Sequence, residues 1–353
     1  MNQRVPAVPL PGDSSLSFPF PQPPAGGTWQ EAAPGVFWLR MPLPFALDHI
    51  NLWVLRDGAG WTLVDTGLNS EATRELWDRI AANSLGGVPV RRVVVTHFHP
   101  DHFGLAGWLT ARFGVELWMT ESEYVTAQVA FAQLGGFTNH ASAALFAKHG
   151  LDEARQEAVR TRKHSYRNAI SEPPSSFRRL LDGDRLEIDG RSWRVMMGYG
   201  HAPEHAALYC EELDALISGD MVLPKISTNV SVWASEPEGD PLELFLRSLK
   251  RYATLPEQTL VLPSHGLPFY GLRERTNALQ EHHRLRLDEV LTACQHPISA
   301  ADIVPLLFRR QLDNHQIAFA MGESIAHLNH LLHQRRVVRE ADVDGVLRFR
   351  KTR

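Results

Sequence analysis

Hydrophobic and polar positions change rhythm several times along the chain, and the rhythm separates strands from helices. "GVFWLRMP", "INLWVLRD" and "WTLVDTG" are short, aromatic and β-branched, and turns containing Pro or Gly separate them, so they predict three strands. "SEATRELWDRIAANS" has helical periodicity with Ser70 placed as N-cap. "VRRVVVTH" is a buried strand that runs into a histidine cluster. "PDHFGLAGWLTARFG" predicts one helix closed by Gly114, and "VELWMT" the next strand. Residues 121 to 178 are mainly helical in pattern. Strands resume at "DRLEIDG", "SWRVMMGYG", "ALYCEE" and "ALISGD", and a helix, "DPLELFLRSLKRYATL", precedes a last strand, "TLVLPSHG". Strands recurring with interleaved helices argue for sheet layers covered by helices, an α/β class.

The texture changes near residue 269. "LRERTNALQEHHRLRLDEVLTAC", "SAADIVPLLF" and "IAFAMGESIAHLNHLLHQ" predict three helices, and "RRVVREADVDGVLRFR" predicts two β-runs around an Asp-Gly turn. Three helices and a terminal hairpin describe a winged-helix module. The expected organisation is a Pro-rich N-terminal tail over 1–27, which holds seven prolines, a main domain over 28–268 with a helical insertion at 121–178, and a small winged-helix-like domain over 269–353.

Composition narrows the function only a little. The 353 residues are 44% hydrophobic and 22% charged, as in an ordinary globular protein. A net charge of −4 provides no global attraction to nucleic acid or anionic membrane. No apolar run approaches the ~20 residues of a membrane span, the start lacks the order of a secretion signal, and Cys210 and Cys294 form no disulfide framework. A soluble cytoplasmic protein is expected.

Histidine, at 17 residues, is the departure. In "THFHPDHFG", His97 and His99 project to one side of extended backbone, while Asp101 and His102 follow where Pro100 redirects the chain. Four ligand-type side chains leave one tight turn in two directions, as two adjacent metal sites would require. Imidazole and carboxylate suit zinc, iron or manganese, and the lack of cysteine argues against a closed structural zinc site. Matching groups stand at the ends of later strands: Asp65 in "LVDTG", His201 and His205 in "GYGHAPEH", Asp220 in "LISGDMVLP" and His265 in "VLPSHGLPF". Strand ends along one sheet edge can converge on a single site.

On "VDTG", "THFHPDHFG", "GHAPEH", "SGD" and "PSHG", in that order, residues 35–268 resemble the metallo-β-lactamase superfamily of metallo-hydrolases. The resemblance implies an αββα sandwich with two divalent metal ions at one edge, zinc first and iron or manganese as alternatives. It implies His97, His99 and His201 as ligands of one ion, Asp101, His102 and His265 as ligands of the other, and Asp220 bridging. Asp65 matches the family's supporting aspartate, which orients ligands, and His205 a position that is usually not a ligand. Ala202, Pro203, Glu204 and His205 stand where the family usually has Thr-Pro-Gly-His, which alters the turn without removing a ligand. The implied reaction is hydrolysis by a metal-bridging hydroxide, with Asp101 steering the nucleophile and carrying its proton.

Asp220 stands where the commonest zinc β-lactamases have cysteine, His99 departs from the flavodiiron pattern, and the glutathione-binding region of glyoxalase II is missing. "SGDMVLPKIS" and residues 269–353 are similar to hydrolases carrying a β-lactamase-associated winged-helix domain, a group in which ester or thioester hydrolysis and single-stranded RNA cleavage both occur. The reading favoured is hydrolysis of a thioester, ester or lactone, with a small-molecule acyl substrate. The alternative is a single-strand-specific endoribonuclease or other phosphodiesterase. Residues 270–353 hold 13 Arg+Lys against 10 Asp+Glu, less basic than a nucleic-acid reader usually is. Nucleic-acid binding is therefore disfavoured, and packing or homodimerisation is expected of that region. Candidate substrate contacts are Lys225, Tyr166 and His205, with Arg160, Arg162 and Lys163 available to an anionic group and the insertion's aromatics to an apolar one.

Overall fold

The computed structural model describes residues 16–162, 166–314 and 316–352. Its first sheet joins, in spatial order, β1 (Trp29–Ala33), β2 (Val36–Pro42), β3 (His49–Arg56), β4 (Trp61–Val64), β5 (Val90–Val94), β6 (Leu117–Met119) and β7 (Arg178–Arg179). Pairing is antiparallel as far as β4 and parallel from there on. The second sheet runs β12 (Leu260–Pro263), β11 (Ala215–Gly219), β10 (His205–Cys210), β9 (Arg191–Gly198) and β8 (Arg185–Ile188).

The period-two alternation explains how the sheets stack. In β2, Val36 and Trp38 point one way, into an apolar layer shared with Trp53, Val64, Val94, Trp193, Leu208 and Ile217. Leu39 and Met41 point the other way, into a layer shared with Leu52, Leu63 and Val93. The second sheet repeats the device: Ala206, Leu208 and Cys210 face the inter-sheet layer, whereas Ala207 and Tyr209 face outward. Both faces of both sheets are thus apolar and must be covered. Helix α1 (Glu71–Asn83) covers the first with Leu76, Trp77 and Ile80. Its Ser70 side chain accepts the Thr73 N–H as N-cap. Helix α8 (Pro241–Tyr252) covers the second with Leu242, Phe245, Leu249 and Tyr252. The result is the expected αββα sandwich.

The single helix expected after the histidine cluster is two, α2 (Pro100–Phe103) and α3 (Ala106–Phe113), the latter closed by Gly114 at φ 65°. The break falls at Gly104, where a Cβ would lie 2.4 Å from the carbonyl oxygens of Gly67 and Pro100. That approach excludes any larger residue at 104, and the helix stops at Leu105, whose φ −103° and ψ 15° leave the helical region. Strand β1 and the two-residue β7 lack a pattern long enough to read in sequence. Within the expected extended tail, Ser17 pairs with Tyr270 through two backbone bonds of 3.2 and 2.8 Å, and Phe18 packs on Phe269. Residues 1–15 lie outside the described residues.

The insertion consists of α4 (Glu121–Phe131), a 3-10 turn at Gly135–Phe137, α5 (Asn139–Lys148), α6 (Glu153–Arg160) and α7 (Tyr166–Ala169). Ala127 of α4 packs in the outer layer of the first sheet, while Phe146 and Val159 pack in that of the second. The chain continues through α9 (Leu272–Ala293), α10 (Ala300–Leu307), α11 (Gln316–His333) and a hairpin of β13 (Val337–Ala341) and β14 (Leu347–Lys351). Leu279, Leu287, Ile325, Leu328 and Phe349 share one apolar cluster with Phe146, Phe245 and Val261. The second sheet, the insertion and the C-terminal region therefore have a common core. No helix among the described residues is long and apolar enough to cross a membrane.

Candidate metal centre

Parallel pairing brings the C-terminal ends of β4 and β5 side by side, and those of β11 and β12 likewise. Two backbone bonds then tie the sheets together at that edge, from Ala206 N–H to the Thr96 carbonyl (2.8 Å) and from Asn51 N–H to the Ser264 carbonyl (2.7 Å). Asp65, the 97–102 cluster, Asp220 and His265 follow these strands directly. His201 follows β9, whose end lies beside the start of β10. All seven ligand-type residues of the sequence reading meet here. Three overlapping groups form: His97, His99 and His201; His97, His102 and Asp220; and Asp101, His102 and His265. Within each group the ligand atoms lie within 4.8 Å of one another.

Tautomers can be assigned from the outer nitrogens. His201 Nδ1 is 2.8 Å from the Asn229 carbonyl and His265 Nδ1 is 2.8 Å from the His49 carbonyl. A carbonyl only accepts, so both Nδ1 atoms carry hydrogen and both rings turn Nε2 inward. His102 Nδ1 donates to Asp65 (2.8 Å), whose carboxylate also accepts from the Thr96 N–H at 2.8 Å. Asp65 holds this position at φ 62°, a left-handed conformation that Asp tolerates better than most residues.

The inward atoms face one another at close range. His97 Nε2 lies 3.0 Å from His99 Nδ1 and 3.2 Å from His201 Nε2. Asp220 spans the centre, with Oδ1 3.4 Å from both His102 Nε2 and His265 Nε2 and Oδ2 3.5 Å from His201 Nε2. Buried His102 Nε2 and Asp220 Oδ1 have no hydrogen-bond partner. Converging lone pairs and unpartnered buried acceptors are unfavourable unless a cation or proton sits among them. These residues fit divalent ions, and nitrogen and oxygen donors of this kind suit zinc, iron or manganese.

The electrostatics divide along the same lines. Burial, together with the neighbouring imidazoles, pushes His97 well below the ordinary histidine range, and burial and His201 push His99 down to about 3. His265 is raised to about 10, because Asp220 and Asp101 outweigh its burial. His102 is raised for the same reason by Asp65, Asp101 and Asp220. Asp101 falls to about 2 although burial opposes it, since His102 and His265 favour its charge.

The other candidates are placed as follows. His205 is fully buried; its Nε2 accepts the Asp220 N–H at 3.2 Å and its ring lies 4.9 Å from that of His97. Tyr166 donates its hydroxyl to the Phe98 carbonyl, and its ring lies 5.8 Å from that of Phe98. Lys225 is exposed. Arg160 pairs with Glu153 and Glu157, Arg162 feels the Asp313 charge, and Lys163 lies outside the described residues. Among the insertion's aromatics, Tyr124 stacks on Phe177, whereas Phe137 stands 6.1 Å from Phe98 and 5.9 Å from Trp233. Trp233 is 6.3 Å from His99 and part of its ring is exposed. Sequence reasoning missed Trp233, and also His49 and Asn229, which act through backbone carbonyls and so carry no residue-type signal.

Residues 46–265 match the family model of the metallo-beta-lactamase superfamily, and residues 287–352 match that of the metallo-beta-lactamase-like, C-terminal domain. The chain belongs to the metallo-beta-lactamase superfamily. It is similar to a beta-lactamase domain protein from Burkholderia ambifaria of known crystal structure, with 51% identity over 97% of this chain and 99% of that one and a TM-score of 0.91. It is 27% identical to the probable metallo-hydrolase YqjP of Bacillus subtilis over 83% of this chain and 91% of that protein. A more distant superfamily relative is the atrochrysone carboxyl ACP thioesterase of Aspergillus fumigatus, with 22% identity over 72% of this chain and 62% of that protein. The protein is a metallo-hydrolase of this superfamily.

Proposed function

We propose that this hydrolase cleaves a thioester, ester or lactone at a binuclear centre. His97, His99 and His201 would hold one divalent ion, Asp101, His102 and His265 the other, and Asp220 would reach both. The observation that carries this reading is the place of Asp220, one carboxylate set between two ligand groups with one oxygen unpartnered. When bound, a pair of divalent ions, zinc first among the candidates, supplies Lewis acidity that lowers the pKa of water and polarises an acyl oxygen.

The remaining work falls to the chain's own groups. Asp65 fixes the His102 tautomer so that its Nε2 lone pair faces the centre. Asp101 is partly exposed, with its Oδ2 3.4 Å from His265 Nε2, and is placed to steer the attacking water and carry its proton. Trp233 and Phe137 give the His99 side of the opening an apolar wall, suited to the acyl part of a substrate. Charge at the C-terminal hairpin favours an acyl substrate over RNA, because Arg339 pairs with Glu238 and Arg348 with Asp302 and Asp342. The likeness to a fungal acyl-carrier thioesterase supports the same side.

The test is a substrate panel of acyl thioesters, lactones and single-stranded RNA, run beside a His97→Ala, Asp101→Ala double variant with metal content measured on both. Acyl hydrolysis that the double variant loses is the expected result. Turnover of RNA alone would overturn the substrate reading. A purified chain that holds no metal and gains no activity with zinc, iron or manganese would overturn the centre.

A further inference from the structure

Helix α4 carries one completely enclosed carboxyl group. Glu123 Oε2 accepts the Phe98 N–H at 2.9 Å and its Oε1 accepts the Glu204 N–H at 2.6 Å. Phe98 lies between His97 and His99, and Glu204 lies between His201 and His205. One side chain thus joins the two backbone segments that bear all three imidazoles of the first group. Other bonds converge on the same segments. Thr120 Oγ1 donates to the Glu204 carbonyl at 3.0 Å, and the Tyr166 hydroxyl donates to the Phe98 carbonyl.

The choice of residue is costly. Glu123 is in no ion pair among the described residues, and burial pushes its carboxyl up to about 8 although both amides oppose the shift. A glutamine would avoid a buried charge. It offers one accepting oxygen, however, and would turn its NH2 against the second amide hydrogen. A carboxyl group has one accepting oxygen for each of the two segments.

We infer that Glu123 is a positioning residue for the His97, His99 and His201 group, setting the spacing of its two loops and hence that group's hold on a divalent ion. This rests on the metal reading given above. The helical insertion would then have a task besides shaping the opening, since α4 is its first helix.

The test compares full-length wild type, Glu123→Gln and Glu123→Asp. Each is loaded with zinc, dialysed, assayed for metal per chain by mass spectrometry, and titrated against a chromophoric chelator. Thermal unfolding of the metal-free chains is measured alongside. The expected result is two ions held by wild type, with one of them held at least tenfold more weakly in Glu123→Gln, whose metal-free unfolding midpoint at pH 9 is no lower than that of wild type. A merely structural bond would lower that midpoint and leave zinc affinity in place. Glu123→Asp keeps the carboxyl group but shortens the reach, so it too weakens one ion, and it decides the matter if the glutamine variant does not fold. Two ions held as tightly in both variants as in wild type overturn the inference alone. A wild type that retains no zinc removes the metal reading, and this inference with it.

Discussion

Two regions of this molecule are rich in histidine, and they use it in opposite ways. At the sheet edge, His102, His201 and His265 have outer nitrogens bound to a carboxylate or a carbonyl, so their inner nitrogens converge with those of His97 and His99 on Asp101 and Asp220. Between α9 and α11, His283 Nδ1 lies 3.5 Å from His327 Nε2, His327 Nδ1 bonds the Glu323 carbonyl at 2.8 Å, and His330 bonds Asp240 at the start of α8. Among the described residues no third ligand group joins that second set. Burial there, reinforced by neighbouring imidazoles, pushes His283 well below the ordinary range, and burial brings His327 to about 4. Abundance of imidazole therefore does not make a metal centre. Convergence does, with outer nitrogens pinned and carboxylates opposite.

The largest test of that contrast is Asp220→Asn. Losing the charge between the two ligand groups is expected to lower kcat/KM by about 10³-fold, roughly 4 kcal/mol of transition-state stabilisation, with metal per chain measured in parallel. Wild-type activity in this variant would place the centre elsewhere. Asp65→Asn should cost about 10–100-fold in activity or metal affinity, since it loosens His102 without removing a ligand.

Acid should act on the second region by a different route. His327 ionises at about 4 when folded, against about 6.5 in an unfolded chain. The unfolded state thus takes up a proton first as pH falls. Stability is full above pH 6.5 and declines as pH falls towards 4, by about 3 kcal/mol for this group. Urea unfolding between pH 7 and 4.5 measures it. The groups facing this imidazole are the Glu323 carbonyl, His283, His282, His330 and Arg286. The smallest effect is expected from His283→Leu: hydrolysis at pH 7.5 within about twofold of wild type, with a shallower acid decline. A large loss of metal on that substitution would erase the distinction between the two regions.

Much of the site was legible because its chemistry lies at strand ends. Asp65, His97, Asp220 and His265 each follow an apolar β-run in the sequence, and β-pairing makes such ends neighbours. The layers were legible because alternation in β2, β9 and β10 sorts side chains to two faces. Other features left no local trace. The need for glycine at 104 comes from the approach of Gly67, distant in sequence. Glu123 shares the buried stripe of its helix with Ala127 and Ala130, but those small residues give the stripe no apolar signature, so nothing in the sequence marked this acid as an inward one. Asn229 and His49 contribute carbonyls, which every residue has.

Asn229 also bears on how far the protein can be cut down. Its side chain donates to Glu323 of α11 at 3.2 Å, while its carbonyl holds His201. Val232 N–H bonds the Gly322 carbonyl of the same helix at 3.1 Å. A fragment ending with β12 would expose the side of α8 on which α9 packs, where His283 lies 5.7 Å from Phe245, and leave the support of His201 unanchored. Chains ending near His265 are therefore expected to be insoluble, as a solubility screen of C-terminal truncations would show.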